Sequence, residues 1–376
     1  DDQINLLRLL ATKRYIWNEA EGVGSVYATA VEFAKRTSLA TSHTFLLSIE
    51  AMYLHQRGEY RRAFDVANIG LSQYKRNKFV GNHGPLDVMY VMARCMLEFS
   101  KPQEALSILE DVRKIAQEWK QWHWYFASDQ HFTEHLTYLG QTKEALERVN
   151  RAREKAASIE STHELQTFCD LAEMNIRRNL KDFDRLENLI NRAPDIRHVR
   201  QMKLAVDQFR GRKTFHEDAK NLPSSAPRDA IWKHLMEVSI NIDVETIALP
   251  AMRKALEIGA EVGAKETFLR QRDEMGNLII RIANEYPTVY NEEIASAMAE
   301  RIKERGNTMK DGQPALTKRE LEILRQLSTG RTLTVIAGEL HISQNTMKTH
   351  LKNLYKKMEA KDRHDAVEKA KASFLI

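Results

Sequence analysis

Apolar residues near the end of the chain recur at helical spacing and predict a first short helix. Leu321, Leu324 and Leu327 supply its apolar side. Residues 317–320, Thr-Lys-Arg-Glu, form a capping box that predicts the start of this helix, and Gly330 predicts its end. The pattern therefore predicts a capped amphipathic helix of about three turns.

Two more helices are predicted directly after it. One runs from about Thr332 to Leu340, and the other follows a short turn at residues 341–343. The last of these helices has a predicted buried stripe, spaced by four, seven and eleven residues: Met347, Leu351, Leu354 and Met358. Polar and basic residues fill its remaining surface: Asn345, Lys348, Thr349, Lys352, Asn353 and Lys356. One side of this helix is expected to pack, while the other offers amide, hydroxyl and ammonium groups.

A helix-turn-helix that enters the DNA major groove typically has two short helices joined by a tight turn, and its second helix is basic. The alternative is a surface helix whose lysines only face water. The whole series of capped helix, glycine stop, second helix, short turn and basic helix favours DNA.

A set of ordered positions resembles the LuxR-type helix-turn-helix of bacterial regulators: Leu316, Thr317, Arg319, Glu320, Gly330, Ile336, Ala337, Leu340, Ser343, Thr346, Met347, Lys348, His350, Leu354, Tyr355, Lys357, Met358, Arg363 and Ala366. The resemblance implies base contacts from Lys348, Thr349, Lys352 and Asn353. It implies phosphate contacts from Thr332, Thr346 and His350, and Ser343 and Lys356 complete the expected DNA-binding set. The helix after Arg363 would form a two-fold dimer contact, so the implied partners are double-stranded DNA, a second copy of the chain and RNA polymerase.

The chain departs from that family in its second helix. Residues 333–335, Leu-Thr-Val, replace a usually polar run, which removes a frequent phosphate-contacting cation. Met347 stands where the family usually has valine, a substitution that a buried stripe tolerates.

The net charge of the chain is confined to its terminal segment. Residues 315–376 carry twelve Lys and Arg against seven Asp and Glu, an excess equal to the +5 of the whole chain. The preceding residues balance, so release of counterions from DNA could drive binding by the terminal domain alone.

Residues 1–303 contain an internal helical repeat. Similar segments begin at Gly58, Ser100, Gly140 and Leu180, and consecutive starts are 42, 40 and 40 residues apart. Each closes one helix and opens the next, so stacked helical hairpins are predicted. The predicted fold class is all-α: a right-handed α-solenoid over 1–303, a linker over 304–315 and a four-helix domain over 316–376.

The repeat segments resemble tetratricopeptide repeats, although their period exceeds that family's usual length of about 34 residues. The segment from Ala255 to Gly263 resembles the last repeat helices of MalT-like regulators. Those proteins join a nucleotide-binding switch domain, a helical-repeat sensor and a LuxR-type domain. No phosphate-loop sequence occurs here, since Gly22 and Gly24 lack a following lysine. The chain is thus predicted not to be an enzyme, and any nucleotide-hydrolysing domain would lie upstream of Asp1.

Composition predicts a cytoplasmic protein without a membrane partner. No apolar run approaches the roughly 20 residues that span a bilayer, and no signal peptide is visible. Cys95 and Cys169 lie in helical patterns and are expected to be reduced core residues. His131 and His135 share a helical face, but their spacing around Glu134 is not that of a zinc motif, so no metal or cofactor is predicted.

The densest aromatic cluster is a candidate effector site. Its members are Trp119, Trp122, His123 and Trp124. Packing between helices is the favoured interpretation, and a ligand surface for a small molecule or peptide is the other. Trp119, Trp122 and Phe126 are expected to share one helical face.

These patterns predict a transcriptional regulator in which an effector or partner of the repeat domain controls pairing of two terminal domains on DNA. The main alternative is a protein-interaction adaptor whose helix-turn-helix serves only for dimerisation. An enzyme within the repeats and a σ-factor-like domain are weaker alternatives.

Overall fold

A computed structural model describes residues 2–17, 20–36, 40–76, 85–159, 162–212, 225–307, 316, 318–329, 331–340, 342–358 and 360–372. Throughout these ranges the regular structure is helical, which confirms the all-α prediction. The helices are α1 (Asp2–Ile16), α2 (Ala20–Ala34), α3 (Ala40–Arg57), α4 (Tyr60–Arg76), α5 (Leu86–Glu98), α6 (Pro102–Glu118), α7 (Trp122–Tyr138), α8 (Thr142–Ala157), α9 (Thr162–Leu180), α10 (Phe183–Arg192), α11 (Arg197–Phe209), α12 (Pro227–Ile240), α13 (Glu245–Val262), α14 (Glu266–Leu269), α15 (Asp273–Glu285), α16 (Val289–Asn307), α17 (Lys318–Ser328), α18 (Leu333–Glu339), α19 (Gln344–Lys357) and α20 (Arg363–Ala372).

Helices α1 to α11 form one packed array along the chain. Each packs on the next, and each odd-numbered helix also contacts the following odd-numbered helix. One continuous hydrophobic cluster runs from Ile4 in α1 to Val206 in α11. Hairpins therefore bury their apolar faces against neighbouring hairpins, as the repeat predicts. That they wind into a right-handed solenoid stays a prediction.

The repeated sequence segments form the turns inside the hairpins. Gly58, Ser100, Gly140 and Lys181 all have positive φ, from 58° to 86°. At each turn the amide of this residue and the amide of the next bond back to carbonyls of the preceding helix. These paired bonds form a Schellman-type helix end.

The fourth repeat is shifted by one residue from the predicted alignment. Its left-handed residue is Lys181, not Leu180, and Leu186 then takes the buried position that Ala63, Ala105 and Ala145 hold in the other repeats. The alignment starting at Leu180 was wrong, because this segment has neither a glycine at the turn nor the alanine that marks the buried position in the other repeats.

Helices α12 to α16 form a second core instead of extending the first stack. They bury a cluster centred on Met252, Phe268 and Ile279, and the group contacts α3, α4 and α5. The Lys265 amide donates to the Glu98 carbonyl at 2.7 Å. We name α12 to α16 the closing group, because it folds back onto the early hairpins.

Gly58 is required where the closing group meets α3. A Cβ atom added there would lie 2.6 Å from the Cβ and 2.7 Å from the backbone nitrogen of Arg228, at the start of α12. Its φ of +86° independently favours glycine. The first repeat therefore keeps a glycine for both the turn and the docking of α12.

The C-terminal helices have a third core of their own, which includes Ile323, Ile336 and Leu354. Helix α16 runs to Asn307, so the first four residues of the segment predicted as a linker are helical. The remainder of that segment, 308–315, lies outside the described residues.

The structure also tests the predictions for the two cysteines and for the aromatic residues around the start of α7. Cys95 and Cys169 are buried and free, as predicted. The prediction that Trp119, Trp122 and Phe126 share one helical face is wrong. Lys120, at φ 56°, lies between the end of α6 and the start of α7, so the three residues do not belong to one continuous helix.

Candidate nucleic-acid interface

The terminal four helices are held together by the stripe that the sequence predicts. Met347, Leu351 and Leu354 of α19, and Met358 directly after it, are all at most 6% exposed. They pack in one cluster with Ile336 and other apolar side chains of α17, α18 and α20. The opposite side of α19 is therefore free to face a ligand.

Both helices of the helix-turn-helix begin at a side-chain cap. The Val335 amide donates to Oγ1 of Thr332 at 3.4 Å, and the Thr346 amide donates to Oγ of Ser343 at 3.1 Å. The turn is closed by the Ile342 amide, which donates to the Ala337 carbonyl at 3.0 Å. Ser343 and Thr346 also share a hydroxyl–hydroxyl bond of 2.8 Å. These bonds fix where α19 begins, and hence where its exposed face points.

We expect Ser343→Ala to destabilise the terminal domain by about 1 kcal/mol, because the Thr346 amide loses its acceptor. Urea unfolding followed by circular dichroism measures the loss. Ser343→Asp should keep near wild-type stability, since a carboxylate caps the same amide. Equal losses in the two variants would contradict a capping role.

Long-range polar bonds orient the helices against each other. Lys357 donates to the buried carboxylate of Glu320 at 2.7 Å. Arg363 donates to the carbonyls of Leu327 and Arg331, each at 2.7 Å. Arg363 matched the family pattern, but its role in binding the carbonyls of Leu327 and Arg331 could not be predicted. The predicted capping partner of Glu320, Thr317, lies outside the described residues, as do Gly330 and His341.

The exposed side of α19 collects the predicted DNA-binding residues. Its exposed members are Ser343, Thr346, Lys348, Thr349, Lys352, Asn353 and Lys356, and His350 is half-buried. Within the described part of the chain, the ammonium groups of Lys348, Lys352 and Lys356 form no ion pair. They recur every four residues, so they share one side of the helix. The Thr349 hydroxyl donates to the Asn345 carbonyl at 3.1 Å and keeps its acceptor capacity.

Helix α18 presents a different surface. Thr332 is exposed at its start, and Leu333 and Val335 are 39% and 47% exposed. Gln344 donates to the Thr334 hydroxyl at 3.2 Å, which links the two helices across the turn. Residues 333–335, which depart from the family pattern, thus lie on the surface and take no part in the core.

The aromatic cluster predicted as an effector site is largely packed. Trp124 is 4% exposed and lies 4.9 Å from the Tyr90 ring. Trp119 and Trp122 are half-buried against the core, and Lys155 lies 5.0 Å from the Trp122 ring.

His123 and Trp124 do line a cavity of about 210 Å³ between α1, α5, α7 and α9. His123 is bonded there to Glu164 at 3.0 Å, and Glu164 also pairs with Lys13 at 3.1 Å.

Of the two histidines considered for a metal, His131 bonds to neighbouring side chains. His131 bonds to the Tyr90 hydroxyl at 3.0 Å and to Glu134 at 3.1 Å. Among the described residues no group of three or more His, Cys, Asp or Glu side chains is arranged to hold a metal ion. In the same ranges no helix is long and apolar enough to cross a bilayer.

These features define a helix-turn-helix domain: a core of four helices, the capped helices α18 and α19, and the exposed lysine side of α19. Residues 314–370 match the family of bacterial regulatory proteins of the luxR type. The terminal domain is therefore a LuxR-family helix-turn-helix domain.

Similar proteins are transcriptional regulators by name. Over 63 residues, which are 17% of this chain and 29% of the relative, the sequence is 38% identical to the probable transcriptional regulatory protein NarL of Mycobacterium tuberculosis. Over 52 residues, which are 14% of this chain and 24% of the relative, it is 54% identical to the CsgBAC operon transcriptional regulatory protein of Escherichia coli. Over 55 residues, which are 15% of this chain and 6% of the relative, it is 44% identical to the HTH-type transcriptional regulator MalT of Yersinia enterocolitica. The chain thus spans less than a third of the length of each of these relatives.

Proposed function

We propose that this chain is a sequence-specific DNA-binding transcriptional regulator, with α19 as the helix that enters the major groove. The observation that carries the proposal is the row of three unpaired lysines opposite a fully buried stripe on one capped helix. Phosphate contacts would supply most of the affinity, and base contacts from Lys348, Thr349, Lys352 and Asn353 would select the sequence.

The roles of the other exposed residues follow from their positions. Thr332, Ser343 and Thr346 lie at helix starts, where hydroxyls and amides suit phosphate oxygens. His350 and Lys356 flank the same side of α19. Two domains would bind a pseudo-palindrome as a dimer through α20, and RNA polymerase is the expected further partner in the cytoplasm.

The repeat array supports a regulatory role. Its hairpins and the closing group comprise most of the chain, and helix α16 of the closing group directly precedes the segment that leads to the terminal domain. An effector, either a small molecule or a peptide, would change how two terminal domains pair. The tetratricopeptide-like and MalT-like character of the array belongs to this proposal.

We expect Lys348→Ala with Lys352→Ala to reduce specific DNA affinity by roughly 100-fold or more, since each base contact contributes about 1–3 kcal/mol. The salt dependence of binding should also become shallower, by about one unit of slope for each lysine that contacts a phosphate. Gel-shift titrations of the full chain, on a site selected from random DNA, measure both quantities.

The matched control is Arg325→Ala with Lys361→Ala, which removes the same charge outside α19. Both control residues are exposed. A similar loss in both double variants would show that net charge alone drives binding. An unchanged affinity in the α19 variant, with an intact fold, would favour the adaptor whose helix-turn-helix only dimerises.

A further inference from the structure

The cavity of about 210 Å³ beside Trp124 is formed by four helices of the repeat array, and we name it the α1 cavity. Helix α1 contributes two neighbouring rows of side chains, one with Arg8 and Thr12 and the other with Leu9 and Lys13. Residues near the starts of α5, α7 and α9 supply the other walls. Since a water molecule occupies about 30 Å³ of the liquid, the cavity has room for roughly seven groups of that size. Its volume therefore suits a small metabolite.

Two residues that line the α1 cavity carry a buried polar atom that has no hydrogen-bond partner within the described part of the chain. These atoms are Oδ1 of Asp87 and Oγ1 of Thr12. The other carboxylate oxygen of Asp87 accepts from Arg8 at 2.7 Å, and the Asp87 side chain is only 1% exposed. An unsatisfied polar atom in the interior is costly, and a ligand that enters the cavity can supply the missing donors.

The rim of the α1 cavity has its acceptors already occupied. The two carboxylate oxygens of Glu164 are bonded to Lys13 at 3.1 Å and to His123 at 3.0 Å. The bonds from His123 and Lys13 hold the pKa of Glu164 below its usual range, so this carboxylate is ionised and only accepts. The Lys13 ammonium has three N–H donors and its side chain is 61% exposed, so it can also donate to a ligand. The rim therefore offers donors, whereas the buried end offers acceptors.

Apart from the histidine, the charged residues that line the α1 cavity balance each other. Arg8 and Lys13 are the cations, and Asp87 and Glu164 are the carboxylates. A ligand with a net charge would leave one charge without a counter-charge in a partly enclosed space. A ligand without net charge avoids that cost, provided that it carries donors at its inner end and acceptors at its outer end.

An ammonium group fits the buried end of the cavity better than a hydroxyl group does. It has three N–H donors for the two unsatisfied atoms, whereas a hydroxyl has a single O–H donor. Its hydrogen bond to the Asp87 carboxylate would also be charge-assisted, and hence stronger. The Trp124 ring, which lines the same cavity and is 4% exposed, adds an aromatic surface that attracts cations.

We propose that the α1 cavity binds a free apolar amino acid, with its ammonium group at Asp87 and Thr12 and its carboxylate at Lys13. The apolar side chain would lie against Ile16 and Leu86, which also line the cavity. Because the walls come from α1, α5, α7 and α9, the bound amino acid joins the first hairpin of the array to three later ones. The amino acid is thereby the effector of the proposed regulator, and only this consequence rests on the proposed function.

Calorimetric titration of the full chain with L-alanine, L-valine and L-leucine tests the proposal with side chains of three sizes. At least one of these amino acids should bind and should raise the midpoint of thermal unfolding. For the amino acid that binds most tightly, the amine that lacks the carboxylate and the acid that lacks the amino group should each bind at least roughly tenfold more weakly. Glycerol is the probe for a neutral polyol, the rival class of ligand.

Thr12→Val removes the buried hydroxyl and nearly keeps the shape of the side chain. It should weaken amino-acid binding by roughly tenfold. Without ligand it should unfold at or above the wild-type temperature, because no hydrogen bond is lost. A threonine with a merely structural role would instead lose stability when replaced and leave the affinity unchanged.

Ser128→Ala is the matched control for Thr12→Val. Among the described residues the Ser128 hydroxyl is likewise buried without a partner, but Ser128 does not line the α1 cavity. This variant should therefore bind the amino acid like wild type.

Lys13→Gln removes the cation at the rim and should weaken binding several-fold, since the carboxylate of the amino acid loses its counter-charge. Lys35→Gln is its control, because Lys35 is 65% exposed and pairs with Glu32 on α2, away from the cavity. That control should keep the wild-type affinity.

Three results would overturn the proposal. The first is an absence of heat and of thermal shift in wild type at about 10 mM of each of the three amino acids. The second is wild-type affinity in both Thr12→Val and Lys13→Gln, and the third is tighter binding of glycerol than of any amino acid. All of these titrations contain no DNA, so their failure leaves DNA binding by α19 untouched, and a chain that fails to bind DNA can still bind the amino acid.

Discussion

Asp87→Ala is expected to lower the free energy of unfolding of the repeat array by about 3–5 kcal/mol. Nη1 of Arg8 lies 2.7 Å from Oδ2 of Asp87, and the two side chains are only 4% and 1% exposed. Without the carboxylate, the Arg8 charge remains buried beside the neutral amide oxygen of Asn5, which accepts at 3.1 Å. Urea unfolding followed by circular dichroism measures the change.

Two controls separate this ion pair from a general loss of charge. Arg8→Met with Asp87→Leu replaces both partners by apolar groups and should recover most of the stability. Glu32→Ala removes an equally short pair with Lys35, at 2.6 Å, but both of its side chains are more than 60% exposed. That variant should unfold like wild type. If Asp87→Ala also unfolds like wild type, the buried pair does not stabilise the fold.

Leu354→Ala is expected to unfold the terminal domain. DNA binding should be abolished as a result, although the Leu354 side chain makes no contact with DNA. Leu354 is fully buried, and its truncation costs about 2–5 kcal/mol. A core of this size supplies only about 3–5 kcal/mol in total. Since the domain has its own hydrophobic cluster, unfolding of the repeat array should stay unchanged. Circular dichroism melts and gel shifts of the same samples report both effects.

Val335→Ala is the matched control for the truncation. It shortens an apolar side chain that is 47% exposed in the neighbouring helix, so the domain should stay folded. If Leu354→Ala instead shifts one unfolding transition of the whole chain, the terminal domain does not unfold independently of the repeat array.

In the terminal domain, the features that depend on neighbouring residues could be predicted from the sequence, whereas those that depend on distant residues could not. Its buried stripe from Met347 to Met358, its caps at Thr332 and Ser343 and the exposure of its lysines follow from residues within four positions of one another. Helical periodicity and capping are local, so one sequence predicts them. The bonds of Arg363 to Leu327 and Arg331 cross more than 30 residues, and no local pattern marks such partners.

Sequence alone determined that this chain is helical, that hairpin turns recur every 40 residues or so, and that the net positive charge lies in the segment with the helix-turn-helix. Tertiary structure decided that α12 to α16 fold back onto the early hairpins. It also decided that Arg8 pairs with Asp87, which lies 79 residues further along the chain. The physical reason is that periodicity records which side of a helix is buried, whereas the partner that buries it is chosen by packing between distant segments.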